Sequence, residues 1–270
     1  ELRPPQSVYQ PDSNLARALL GEHAAFPAMK GVYADQPELW CGFFRQLDMP
    51  NDPRLSDVVD FLRSVADEDP SDDKVKRLNA AYEFVNNKVE SEFDEPGSPS
   101  NELKQVLVRL EQIPWVPLLQ ESDDFECFTA PDKDCVRPNG VYFSRVGDLV
   151  ASEAPLTRLR PEPNKRAKKL MGFPGEPPAT LVVSHFKNLL RAWSSPDSMP
   201  KEKLRDKPLK KIYQFFGKLS EVEAANLGRN FADEPCIWDP ELSQLWAPQH
   251  VFKQNVKYME PWRRAIRIKD

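Results

Sequence analysis

Proline decides what this chain can build. It occurs 27 times in 270 residues, about twice its usual share of roughly 5%, and it punctuates apolar segments without forming a PxxP tract. Proline lacks a backbone N–H and biases the residue before it away from helical geometry. Short elements joined by stiff, specified turns are therefore predicted. The stretch that raises the sharpest question is residues 113–117, IPWVP, at the end of a helical pattern. Pro114 is predicted to stop that helix, and Trp115 and Val116 to run extended into a short strand.

Helix starts are signalled by proline too. Asp35, Pro37 and Glu38 resemble a capping box opening a helix whose Leu39, Trp40, Phe43, Phe44 and Leu47 share one face. Asp52 and Pro53 open a second, with Leu55, Val58, Val59, Leu62 and Val65 inward. Ser71 caps a third, striped by Val75, Leu78, Tyr82, Val85 and Val89, and Ser98 with Pro99 starts a fourth carrying Leu103, Val106, Leu107 and Leu110. Past the switch, Phe125, Cys127, Val141 and Phe143 alternate with polar neighbours, as half-buried strands do. In the second half, Val182, Phe186, Leu189 and Trp193 form one helical stripe. Asp206 and Pro208 open another helix, with Leu209, Ile212, Tyr213, Phe216 and Leu219 inward, which leads to a second proline-flanked apolar segment, EPCIW.

The two switches line up. Pro114-Trp115-Val116 matches Pro235-Cys236-Ile237, Phe128-Thr129-Ala130-Pro131 matches Leu245-Trp246-Ala247-Pro248, and Cys135-Val136 matches His250-Val251. The predicted fold is α+β and predominantly helical, two tandem helix-helix-β-hairpin units in which a tryptophan-bearing hairpin covers a helix pair. Residues 1–156 form the first unit, 157–178 a proline-rich basic linker and 179–270 the second. Residues 1–150 carry 15 Lys and Arg against 28 Asp and Glu, and residues 151–270 carry 22 against 14, so the halves are −13 and +8. Units of opposite sign attract, which we read ahead of nucleic-acid binding by the basic half.

Most chemical templates fail. No GxxxxGK[ST] or GxGxxG is present, so no glycine-rich phosphate cradle is expected. His23, His185 and His250 are scattered; His185, beside apolar neighbours, reads as a hydrogen-bonded core or edge histidine rather than a catalytic base. Cys41, Cys127, Cys135 and Cys236 show no CxxC spacing and read as reduced, mostly buried thiols. Cys127, Cys135 and His250 have unrelated spacing for a zinc site. The acidic run at 67–73 lacks a calcium-loop pattern and reads as a solvated loop that caps the next helix. No nucleophile–base pair is visible, and no cofactor is expected.

Two groups remain as candidate contact residues. Trp115, Trp238 and Trp246 are structural anchors or partner contacts, with core packing the preferred role. Lys165, Arg166, Lys168 and Lys169, with Arg158 and Arg160, sit in the proline-rich connector; a solvated linker or a contact to an acidic neighbouring domain is preferred to nucleic acid. No membrane span and no signal-peptide core is visible, and the chain reads as cytoplasmic. A start at Glu1 without methionine suggests a segment of a longer protein.

Taken together, "IPWVPLL", "DCVRP..VYF", "PPATLVVSHFKNLL", "IYQFFGKL" and "LWAPQHVF" resemble the sacsin family over about Pro37 to Phe252. These are very large intracellular proteins in which an Hsp90-like ATP-binding domain precedes a long repeat-containing region, and the likeness lies with that downstream region. It implies a chaperone-like or scaffolding role, with neighbouring domains of the parent protein and protein clients as partners. Bacterial members resemble large multidomain ATPases of unsettled role, with defence against phage one of the roles considered. The Hsp90-type ATP-binding motifs are not found here, so the ATPase does not carry over. A nucleic-acid-contacting segment of a defence-type ATPase and a divergent enzyme domain are the rival readings.

Overall fold

The computed structural model describes residues 3–30, 32–94, 100–125, 127–193, 202–231, 234–239 and 244–248. The fold is α+β and predominantly helical, and the strands among the described residues form two-stranded pairs. It divides into two compact units whose segments interleave along the chain. Unit 1 is Glu1–Glu121, Ala130–Arg145 and Ala154–Glu176; unit 2 is Ser122–Thr129, Val146–Glu153 and Pro177–Asp270. The boundaries at 156 and 178 drawn from the sequence differ from these, because residues 157–176 do not form a linker but fold into unit 1.

Unit 1 begins with α1 (Asn14–Leu20), α2 (Val32–Asp35) and α3 (Pro37–Gln46). Its core is built by α4 (Leu55–Ala66), α5 (Asp72–Asp94) and α6 (Asn101–Gln112), with α4 packed against both others. The apolar periodicity explains the packing: Leu55, Val58, Val59, Leu62 and Val65 of α4, Leu78, Tyr82, Val85 and Val89 of α5, and Leu103, Val106, Leu107 and Leu110 of α6 are buried together. Ser71 Oγ accepts the Lys74 N–H at 3.1 Å and Ser100 Oγ accepts the Leu103 N–H at 3.1 Å, the side-chain caps that start α5 and α6. The start expected at Ser98 and Pro99 falls outside the described residues. Asp35 does not cap α3, whose N-cap is Gln36, and the predicted α3 stripe is only partly covered: Phe44 is buried while Leu39 and Phe43 are 65% and 45% exposed.

The IPWVP switch forms as its prolines dictate. α6 ends at Gln112, Ile113 is extended (φ −96°, ψ 145°), and β1 (Val116–Pro117) pairs antiparallel with β2 (Cys135–Val136). A second pair, β3 (Tyr142–Phe143) with β4 (Leu156–Thr157), is parallel. Val141 and Phe143 are buried as the alternation predicted, but Phe125 and Cys127 are not in a strand. Cys127 adopts φ +56°, incompatible with extended pairing. Phe125 instead lies where a Cβ on Gly147 would come within 2.4 Å of its ring, so glycine is required there. The residues read as a linker form α8 (Lys165–Leu170), capped by Asn164, whose Ala167 joins Met171 and Phe173 in the unit 1 core.

Unit 2 contains α7 (Gly147–Val150), α9 (Ala179–Ala192), α10 (Glu202–Phe216), α11 (Glu221–Phe231) and an antiparallel pair, β5 (Ile237–Asp239) with β6 (Gln244–Trp246). The α9 stripe of Val182, Phe186, Leu189 and Trp193 is buried, and Phe186 meets Tyr213, Phe216 and Phe231 with ring centroids 6.1, 5.9 and 5.4 Å apart. Pro208 does not open α10 but lies inside it, since the helix already begins at Glu202. Between α10 and β5 stands α11, absent from the sequence reading. Its start is a capping box: Ser220 Oγ accepts the Glu223 N–H, and the Glu223 carboxylate accepts the Ser220 N–H at 3.0 Å.

The internal repeat survives in outline only. Val116 and Ile237, paired by the alignment, both open a strand after a proline. The partner of β5, however, is β6, which the alignment sets against residues around Phe128 and Thr129 that form no strand. His250 and Val251, the expected equivalents of β2, lie outside the described residues.

Candidate functional site

Among the described residues, each unit gathers a cluster of buried, chemistry-bearing side chains. In unit 2, α7, α9 and α10 meet around Asp148, which is 3% exposed. Lys211 Nζ lies 2.7 Å and Lys207 Nζ 3.5 Å from its carboxylate Oδ2. The two lysines are four residues apart, so one face of α10 presents both. On α9, His185 is 1% exposed. The Ser152 amide N–H donates to its Nδ1 at 3.2 Å, and Ser152 Oγ lies 2.8 Å from the same nitrogen. An amide can only donate, so Nδ1 carries the lone pair and the ring proton sits on Nε2. Asn188 Nδ2 donates to Ser152 Oγ at 3.1 Å.

Serine, histidine and aspartate together suggest a nucleophile with its base. The geometry assigns them a different task. The His185 lone pair faces the main-chain N–H of Ser152 as well as its hydroxyl, and burial pushes the imidazole pKa down to about 4, against the raising effects of the hydrogen bond to the Asp148 backbone and the Asp148 charge. So weak a base draws little on a serine proton near neutral pH. The ion pairs of Lys207 and Lys211 with Asp148 and the hydrogen bonds of His185 join α7, α9 and α10.

The depressed pKa makes a prediction. Above pH 6.5 the imidazole is neutral in the folded and unfolded chain alike. As pH falls from 6.5 towards 4, the unfolded chain binds a proton that the folded one excludes, so stability is lost across that window. The loss attributable to His185 is roughly 3 kcal/mol by pH 4. Chemical denaturation of wild type and His185→Asn between pH 7 and 4 checks it: the Asn amide oxygen can replace Nδ1 as acceptor but cannot titrate, so its profile should be flatter by that amount.

In unit 1 the corresponding cluster is Lys74, 2% exposed, at the start of α5. Its Nζ donates to Ala66 O at 2.7 Å, Glu68 O at 2.5 Å and Asp134 Oδ2 at 2.5 Å. Three donors meet three acceptors, two of them carbonyls at the C-terminal end of α4. His185 is buried and hydrogen-bonded as the sequence suggested, but Lys74 and the Ser152 partner were not visible there: an amphipathic pattern marks where a helix is apolar and does not record which distant residue meets a buried polar group.

Of the residues singled out from sequence, Trp115 is fully buried; its Nε1 donates to Leu110 O at 3.0 Å, and its ring stacks on Tyr82 (6.1 Å, 27°) and meets Phe173 edge-on (6.2 Å, 75°). Trp246 is half-buried on β6 opposite Ile237. The Trp238 backbone pairs with Leu245, while its side chain lies outside the described residues. On α8, Lys165, Arg166 and Lys169 are exposed, whereas Lys168 pairs with Glu162 and lies 4.9 Å over the Phe143 ring. Burial pushes the Cys135 and Cys236 thiols up to about 11, so both are protonated and inert at neutral pH. Among the described residues, no group of three or more His, Cys, Asp and Glu is placed to hold a metal ion, and no helix is long and apolar enough to cross a membrane.

No protein-family model, curated protein or solved structure matches the chain.

Proposed function

We propose that this chain is a non-catalytic interaction and scaffold segment of a large, cytoplasmic, sacsin-like chaperone protein, binding neighbouring domains of the parent and protein clients. The observation that carries this reading is α3. Its apolar face of Leu39, Trp40, Phe43, Phe44 and Leu47 is wider than the fold covers, with Leu39 and Phe43 left largely in water. Exposed aromatic and aliphatic surface of this kind marks a protein-contact face. Supporting it, the polar groups that the fold gathers at Lys74, Asp148 and His185 serve as joints between helices. The exposed basic side chains of α8 are read as a contact to an acidic neighbouring domain, ahead of nucleic acid.

The test uses Leu39→Glu/Phe43→Glu. Both side chains are exposed, so the thermal transition should stay within a few degrees of wild type. Capture of adjoining parent domains, and suppression of client aggregation measured by light scattering, should fall about tenfold or more. A folded variant as active as wild type in both assays would remove the reading.

A further inference from the structure

We propose that α3 pairs antiparallel with α3 of a second copy of this chain, each Phe43 seating on the other copy's Gly42. This names a partner for the contact face proposed above, and rests on that reading only in taking α3 as that face. Leu39 and Phe43, 65% and 45% exposed, stand four residues apart on the outward side of the helix, with Glu38, Gly42 and Gln46 on the same side. Phe44 is buried on the opposite side.

Gly42 distinguishes this face from an ordinary exposed stripe. After proline, glycine is the residue least suited to a helix interior. Nothing within the chain calls for it here. Gly42 is not among the residues with positive φ, and, apart from its own helix backbone and chain neighbours, no atom of the described residues lies within 4 Å of where its Cβ would stand. Gly147 and Gly172, by contrast, have side-chain atoms 2.4 and 2.8 Å from that point. A helical glycine with no internal reason fits a close approach from outside, since the missing side chain lets another surface reach the backbone.

Notch and knobs share one face, so the surface is its own complement. In an antiparallel pair about a twofold axis, each Phe43 comes opposite the other copy's Gly42, and each Leu39 opposite the other copy's Gln46. Both rings then fill both notches. Parallel pairing would set Gly42 against Gly42 and Glu38 against Glu38, leaving the notches empty and two carboxylates facing. The knob is already held in place: the Phe43 ring meets Trp40 edge-on (5.7 Å, 88°) and lies 5.8 Å from Phe44, so little side-chain freedom is lost on contact. Shape rather than charge makes the match, because Arg45 is held by Asp12 at 2.8 Å. A helix of ten residues is about 15 Å long and covers less than the roughly 1,200 Å² of a stable interface. The dimer is therefore weak, with a dissociation constant of roughly 10 to 100 μM.

Sedimentation equilibrium of the 270-residue chain between about 5 and 500 μM should show a monomer–dimer equilibrium. Gly42→Ala gives two readouts of opposite sign. Alanine favours the helix and meets nothing in the chain, so the thermal transition should hold or rise; its methyl group fills the notch, so the dimer should weaken about tenfold. Leu39→Glu/Phe43→Glu should abolish association in the same range while the thermal transition stays within a few degrees of wild type. A wild-type chain that stays monomeric throughout overturns the inference, as does a dimer that either variant leaves equally tight. A lowered thermal transition in Gly42→Ala overturns it too, since the glycine would then serve the fold. If the chain is monomeric while capture through α3 persists, the face belongs to a neighbouring domain or client and this inference fails alone. If both variants break the dimer while capture is unaffected, the wider reading fails instead.

Discussion

Replacing Trp115 by alanine should destabilise unit 1 by about 4 kcal/mol, in the range for large-to-small changes at a fully buried aromatic residue. The position concentrates several dependences. The indole fills space between Tyr82 of α5 and Phe173 beyond α8, and its N–H satisfies the Leu110 carbonyl, one of the last in α6 without an intrahelical partner. Pro114 removes the N–H that would otherwise continue the ladder, so the indole does the capping that the proline forbids. Trp115→Phe keeps much of the volume but loses that hydrogen bond, and should cost less, about 2 kcal/mol. Urea denaturation read by a unit 1 probe separates the two, and an alanine variant within 1 kcal/mol of wild type (about the cost of an ordinary point change) would contradict the packing.

Lys74→Met is the second large effect, expected at about 3 kcal/mol. Methionine fills most of the lysine stem, so the loss is electrostatic. Two carbonyls at the end of α4 and the Asp134 carboxylate lose their shared donor. Asp134 is 34% exposed and can rehydrate, which holds the cost to the low end for a broken buried pair. Adding Asp134→Asn should recover part of the loss, and the double-mutant cycle should show coupling above about 0.5 kcal/mol. Strict additivity would mean that the ion pair does not hold α4 and α5 to the segment before β2.

Why some of this was legible and some was not follows from the kind of signal each element leaves. α4, α6 and α9 were readable because apolar residues three and four apart recur along them, and every residue assigned to their inward stripes is buried. The switch at Pro114 was readable because proline acts locally, whatever surrounds it. α11 was missed although its Ser220–Glu223 capping box stood in the sequence; its apolar residues are few, and Val222 is largely exposed. α8 was hidden by the prolines on either side of it and by four charges in six residues, and its packing shows in Ala167, Leu170, Met171 and Phe173. Phe125 and Cys127 alternate like a strand, yet the left-handed backbone at Cys127 turns the chain. That choice is settled by tertiary packing of Phe125 against Gly147, which periodicity does not record. His185 was legible as a hydrogen-bonded core histidine, which its burial and its Ser152 contact match, whereas the buried lysine and aspartate left no signal because their partners are brought from distant parts of the chain.

The proposed function puts partner binding on outward apolar surface, with the buried polar groups holding helices together. A photo-reactive phenylalanine analogue at Phe43 tests this most directly. Cross-links from that position to a bound protein partner, well above those from a control position on α8 such as Lys169, are the predicted result. Equal labelling at the two positions, or none at Phe43 while partner binding is intact, would contradict it.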